Sequence, residues 1–160
     1  MQRGYKLTHE EKLELLPDIC FLLEMAHGIV TAAINIDMIQ RVNNSSDEFL
    51  KYGYALIING LEPKVAEKVL DILVHNEPDD FKRFKMHIQK DVLLAMQEID
   101  SFNVSALIVI SYMGLDFKDD LIKYLKIHMP HIHNELLNTT NFDKYNLDET
   151  IKSLKANPFN

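Results

Sequence analysis

Residues 49–70, FLKYGYALIINGLEPKVAEKVL, decide how the rest of the chain is read. Phe49, Leu50, Tyr52, Tyr54, Leu56 and Ile57 give an apolar run that ends at Asn59-Gly60. Glycine suits the left-handed residue just past a helix end, where any side chain would clash. Asn-Gly is also a hairpin-turn dipeptide. Pro63 decides between the two, because proline fits the first turn of a helix and disrupts a central strand. The stretch therefore predicts a helix, a glycine stop and a second helix over 63–75. Val65, Ala66, Val69, Leu70 and Leu73 are its expected buried residues.

The same grammar extends upstream. Thr8 with Glu11 three residues on forms a capping box, which predicts a helix from His9 to about Leu16. Pro17 then breaks that helix or opens the next. Ile19, Leu22, Leu23, Ala26, Ile29, Val30, Ala33, Ile36 and Ile39 keep a spacing of three or four, so one helix is expected over 18–42. Gly28 falls at its middle, where glycine costs about 1 kcal/mol against alanine, and this points to the close approach of another helix. Asn43 and Asn44 end the run. Ser45 with Glu48 reads as a second capping box, opening the helix of Phe49.

Downstream, Asn76-Glu77-Pro78 repeats the start signal, and Phe81, Phe84, Ile88, Val92, Met96 and Ile99 form one stripe of a helix reaching about Asp100. Residues 104–110, VSALIVI, have the β-branched composition of a buried strand. No second strand exists for them to pair with, and a lone strand leaves its backbone groups unmatched. They are read as a buried helix capped by Asn103 and stopped by Gly114. A further helix over 117–128 is interrupted by Pro130 and resumes over 131–137. Residues 138–145 read as a polar loop. Asn146 or Asp148 then caps a short helix bearing Leu147, Ile151 and Leu154, and the tail past Ala156 frays. The expectation is a single all-α domain, a bundle of about seven helices without sheet, with 138–160 a loosely packed C-terminal extension.

Composition bounds function. The 160 residues carry a net charge of −7. The one basic run, Lys82, Arg83, Lys85 and Lys90, follows Glu77, Asp79 and Asp80, an order that suits a helix with an acidic first turn. Nucleic-acid binding needs a surplus of cations on one face and is not expected. The single cysteine, Cys20, lies in the apolar run ICFLLEM and excludes an internal disulfide or a cysteine-rich zinc site. The longest nearly uncharged run, 101–115, is shorter than the ~20 residues of a membrane span. No apolar run follows the basic N-terminus, so a cytoplasmic protein without a membrane span is expected.

No phosphate loop, nucleophile elbow or His-Glu-x-x-His occurs, and the five glycines do not cluster. Neither an enzyme nor a cofactor is expected. Among the seven histidines, His128, His131 and His133 crowd around Pro130. Imidazoles ligate zinc, copper or nickel, so the alternative reading is a helical bundle that binds a metal or small ligand through histidines. Glu24 and His27 make one Glu-x-x-His pair, the element di-iron bundles use twice, without a second copy.

Phe49, Leu50, Gly53, Leu56, Gly60 and Pro63, with AHGIVTAAI at 26–34 before them and ISYMGL at 110–115 after, resemble the cytoplasmic segment of flagellar motor stator subunits of the MotA type. The similarity covers about residues 21–115. The first two membrane helices of that family have no counterpart here. The run at 104–115 is cut short by Asp116, Lys118, Asp119 and Asp120, and Ser101-Phe102-Asn103 lacks the family's channel proline. Ion conduction is therefore not expected. The resemblance implies a protein that acts by contact with a protein partner, a motor component, through exposed charges. By position these are Glu62, Lys64, Glu67 and Lys68 after Gly60, and Lys82, Arg83 and Lys85 on the next helix.

Overall fold

The computed structural model describes residues 5–31, 35–98, 102–138 and 147–156. Among them are nine α-helices, one 3₁₀ turn and no strand: α1 (His9–Thr31), α2 (Ile36–Asn43), α3 (Glu48–Ile58), α4 (Pro63–Asn76), α5 (Asp80–Gln97), α6 (Phe102–Met113), the 3₁₀ turn Leu115–Phe117, α7 (Lys118–His128), α8 (Pro130–Asn138) and α9 (Leu147–Ala156). The fold is all-α. Ala33, Ile99, residues 139–145, Asn146 and the tail past Ala156, all read above, lie outside the described residues.

The turn at Gly60 is built as the sequence predicts. Gly60 takes φ +76°, its N–H donates to the Ile57 carbonyl at 3.0 Å, and the Leu61 N–H reaches the Leu56 carbonyl at 3.1 Å. These two bonds satisfy carbonyls that the end of α3 leaves open. Pro63 is the first residue of α4, where its missing N–H removes no helical bond. Gly114, at φ +98°, likewise ends α6. At the start of α1, the Thr8 N–H donates to Glu11 Oε2 at 2.8 Å and the Glu11 N–H to Thr8 Oγ1 at 3.2 Å, the expected capping box.

Five local expectations are corrected. Pro17 neither breaks nor opens a helix; α1 runs through it. The proline costs the bond to the Leu13 carbonyl, but Leu13 and Pro17 are both exposed, while Leu15, Leu16, Ile19 and Cys20 are buried and hold the helix on course. The single helix expected over 18–42 is two. Asn35 caps α2, accepting from the Met38 N–H at 3.2 Å, and Ile36, assigned to the buried stripe, is 68% exposed. Arg41 folds α2 back onto α1 through a bidentate pair with Glu24, at 2.7 and 2.9 Å, with its guanidinium over the Phe21 ring. The cap of α3 is Asp47, not Ser45. Asn103 lies inside α6 rather than capping it. Finally, no helix presses on Gly28: a Cβ there would have no atom within 4 Å.

α5 is the central element, packed on α1, α3, α4 and α6; α1 in turn packs on α6, α7 and α8. The main core joins Leu22, Leu23 and Met25 of α1 to Ile88, Val92 and Leu93 of α5, Val109 and Met113 of α6, and Leu121 and Leu125 of α7. Each such fully buried side chain contributes roughly 1.5–3 kcal/mol relative to exposure. Gly53 is the close-approach glycine instead. A Cβ there would meet Leu93 Cδ1 at 2.7 Å and Leu70 Cδ2 at 3.4 Å, so α3 sits tight over α4 and α5. α4 is held through a separate small cluster, Phe49, Leu70, Val74 and Met86.

Candidate functional site

α4 carries more apolar surface than it buries. Ala66, Leu70 and Val74, four residues apart, form its inner face. Val65, Val69, Ile72 and Leu73 form a second stripe along the adjacent flank. Of these, Val65 is 41%, Ile72 53% and Leu73 37% exposed, although Val65, Val69 and Leu73 were expected inside. A helix packed against a bundle on one side needs a single apolar stripe. The surplus on α4 was readable in the sequence as an apolar arc too wide for an edge helix.

The second stripe is one wall of a groove. α3, α4 and α5 together line it. Phe49 and Tyr52 of α3 face Val69, Ile72 and Leu73 of α4, over a floor of Phe81, Lys85, Met86 and Gln89 from α5, around a volume of about 890 Å³. Tyr52 is 48% exposed.

Asp47 organises the polar end. Its Oδ1 accepts from the Leu50 N–H at 2.9 Å and so caps α3. Its Oδ2 accepts from Gln89 Nε2 at 2.7 Å and lies 3.0 Å from Lys85 Nζ, which also pairs with Asp18 at 2.7 Å. Burial alone pushes the Asp47 carboxyl up, but the Leu50 N–H, the Gln89 amide and Lys85 outweigh it and hold it below the ordinary carboxylate range. Burial likewise pushes the Lys85 ammonium down, and its hydrogen bond to Asp18 and the charge of Asp47 more than restore it. Lys82 pairs with Glu77 at 2.9 Å; their hydrogen bond raises the lysine and lowers the carboxyl. Glu48 pairs with Lys51 at 2.9 Å. The charges around the groove are thus matched within the chain. One polar atom is not: Gln89 is 1% exposed and its Oε1 has no partner.

The seven charged residues assigned to a partner do not share one site: two line the groove, four line a cleft on the other flank of α4, and Glu62 lines neither. Lys82 and Lys85 line the groove, engaged as described. Arg83 donates to the Glu77 carbonyl at 2.6 Å and pairs with Asp80. Lys64, Glu67 and Lys68 lie on the opposite flank of α4, with Asp71, His75 and His87 around a cleft of about 760 Å³. Asp71 there binds Lys90 at 2.6 Å and ties α4 to α5. Burial lowers the His87 imidazole, and Lys90 adds to that. Glu62 is the residue before α4 and lines neither space. The side chains of Glu62, Lys64, Glu67 and Lys68 make no ion pair among the described residues. The sequence reading named charged residues of α4 and α5 and did not single out Tyr52 or Ile72, which line the groove.

The three clustered histidines have separate surroundings. His133 is buried, His128 stacks on Tyr124 with ring centroids 4.1 Å apart, and His131 faces His27 at 6.4 Å. Glu24 of the Glu-x-x-His pair is held by Arg41. Among the described residues, no group of three or more His, Cys, Asp or Glu side chains is disposed to hold a metal ion, and no helix is long and apolar enough to cross a membrane. Comparison with known proteins yields no matching family model, curated protein or solved structure.

Proposed function

We propose that this chain is a non-catalytic cytoplasmic protein that seats an amphipathic helix of a partner protein in the groove between α3, α4 and α5. The second apolar stripe of α4, open opposite Tyr52, carries this reading. A guest helix with apolar residues at i, i+3 or i+4 and i+7 is the recognition mode that fits a groove walled by two helices. Matched charges on the groove mean that such a guest meets no lone buried ion. The titratable groups there are held in their charged forms, opposite to the shifts that general acid–base chemistry at neutral pH requires. The similarity of residues 21–115 to the stator segment supports a flagellar-motor component as the first partner to try. Glu62, Lys64, Glu67 and Lys68 would then make flanking contacts.

The test places a photo-crosslinking amino acid at Tyr52 in the living host, with Ile127 of α7, 73% exposed, as an equally apolar control site. A defined adduct is expected from Tyr52 and not from Ile127, and it disappears with Ile72→Asp. That exposed substitution shifts stability by no more than about 0.5 kcal/mol. Docking through the groove also survives raised salt, whereas a contact made by Lys64 and Lys68 weakens as the screening length drops from about 10 Å at 0.1 M. Equal adducts from both sites, or an adduct indifferent to Ile72→Asp, overturn the proposal. Crosslinking only to a second copy of this chain transfers the groove to self-association and refutes the partner reading.

A further inference from the structure

The groove between α3, α4 and α5 has a guest of the right pattern in the chain itself. α9 carries Leu147, Ile151 and Leu154, spaced by four and then three, the sequence signature of one apolar stripe on a helix. Ile151 is 47% and Leu154 59% exposed, and every α9 side chain described is in solvent. Ten residues are fewer than the ~12–15 at which an isolated helix becomes even marginally stable in water. α9 therefore needs an apolar surface to lie on. The groove, with Tyr52 and Ile72 open, is such a surface.

The two faces match in length and in charge. At 1.5 Å per residue the stripe from Leu147 to Leu154 runs about 10 Å, and so does the α4 wall from Val69 to Asn76. Asp148 and Glu149 are balanced by Lys152 and Lys155, so α9 brings no net charge. The groove is likewise mixed, with Glu48 and Lys82 both exposed among its lining residues. The connection is long enough as well. α8 lies on α1, where His131 faces His27, and Asp18 of α1 pairs with Lys85 in the groove. Asp18 is about 14 Å from His27 along α1, and Asn138 about 10 Å from His131 along α8. The chain from Asn138 to Leu147 reaches about 30 Å when extended, as far as those separations laid end to end.

We infer that α9 is the groove's own occupant: it folds back in cis, lays Ile151 and Leu154 against Tyr52 and Ile72, and yields to a partner helix by displacement. On the reading that the groove seats a partner's amphipathic helix, α9 is a built-in competitor. Seated about nine-tenths of the time, it lowers the groove's affinity for a guest about tenfold. The short connection favours cis seating over a second copy, because it presents α9 at an effective concentration near millimolar.

The whole chain bearing Ile72→Cys with Ile151→Cys tests the contact, since the native Cys20 is buried. Under mild oxidation at low micromolar protein, a disulfide within the monomer is expected, and none in an Ile127→Cys, Ile151→Cys control. Alkylation of a Tyr52→Cys chain is the second measurement. It is expected to run about tenfold faster once Ile151→Asp and Leu154→Asp unseat α9. Both aspartates replace exposed residues, so the helical circular dichroism of the chain is retained. Absence of the disulfide, disulfide-linked dimers in its place, an equal disulfide in the control, or alkylation indifferent to the two aspartates each overturn the inference. A disulfide without any partner adduct at Tyr52 refutes only the partner reading, and an adduct without the disulfide refutes only the seating of α9.

Discussion

Replacing Asp47 should separate three interactions that share one carboxylate. In Asp47→Ala the cap on the Leu50 N–H disappears, a loss of about 1 kcal/mol. The Gln89 amide, 1% exposed and donating to Oδ2, loses its acceptor, and a buried donor left unpaired costs about 1–3 kcal/mol. Lys85 keeps Asp18 at 2.7 Å; because both carboxylates pair with a lysine that is itself 24% exposed, this third loss is at most about 1 kcal/mol. The sum is about 3 kcal/mol, equivalent to about 6–12 °C in melting temperature for a domain of this size. Asp47→Asn keeps its one amide oxygen for the Leu50 cap and turns its amino group toward Gln89, whose amide rotates so that the otherwise unpartnered Oε1 accepts from it; the change costs about 1 kcal/mol. Urea denaturation followed by circular dichroism measures both, with an unchanged slope showing that only stability has moved. Asparagine and alanine variants that fall equally, or an alanine variant within about 1 kcal/mol of the parent, would refute the account. The pH dependence has a definite sign. The folded carboxyl titrates below its unfolded value, near 3.9, so its contribution is full above about pH 5 and fades as pH falls through the unfolded and then the folded value. In Asp47→Asn that part of the acid loss is absent.

Two further outcomes are expected. Gly60→Ala forces a Cβ into φ +76° with open space around it, so backbone strain alone acts and stability drops by about 1–2 kcal/mol in a thermal melt, less for Gly60→Asn; an alanine variant melting with the parent contradicts the turn. Cys20 is 0% exposed and burial pushes its thiol up to about 12, so alkylation of the folded protein at mildly alkaline pH tracks unfolding; labelling as fast as that of a free thiol excludes the buried site.

Helix ends were legible where their chemistry is exclusive. Only glycine sits easily at φ +76°, so Gly60 with Pro63 gave the α3–α4 turn, and Thr8 with Glu11 gave the start of α1. Ends failed where several residues could serve. Ser45, Ser46 and Asp47 all make caps, and Asp47 prevails because Gln89 and Lys85 reach it from α5, forty residues away in sequence. The division of α1 from α2 was hidden because Ile36 and Ile39 prolong the apolar spacing, although Ile36 ends up in solvent. The continuity of α1 through Pro17 depends on which side of the helix faces water, and no short window of sequence contains that. The groove was half legible: the apolar excess of α4 is in the sequence, but its exposure follows from α5 covering one flank only. Gly28 is legible as a glycine inside a helix, but the close helix approach it predicts occurs at Gly53 instead.

α4 rests on a satellite of four buried side chains, Phe49, Leu70, Val74 and Met86, outside the larger core that α1, α5, α6 and α7 share. Moving it outward about the Gly60 turn uncovers that satellite and the buried Ala66 while the larger core stays closed. Local opening follows the least apolar contact, so a helix seated on so small a cluster can part from the bundle without the larger core giving way.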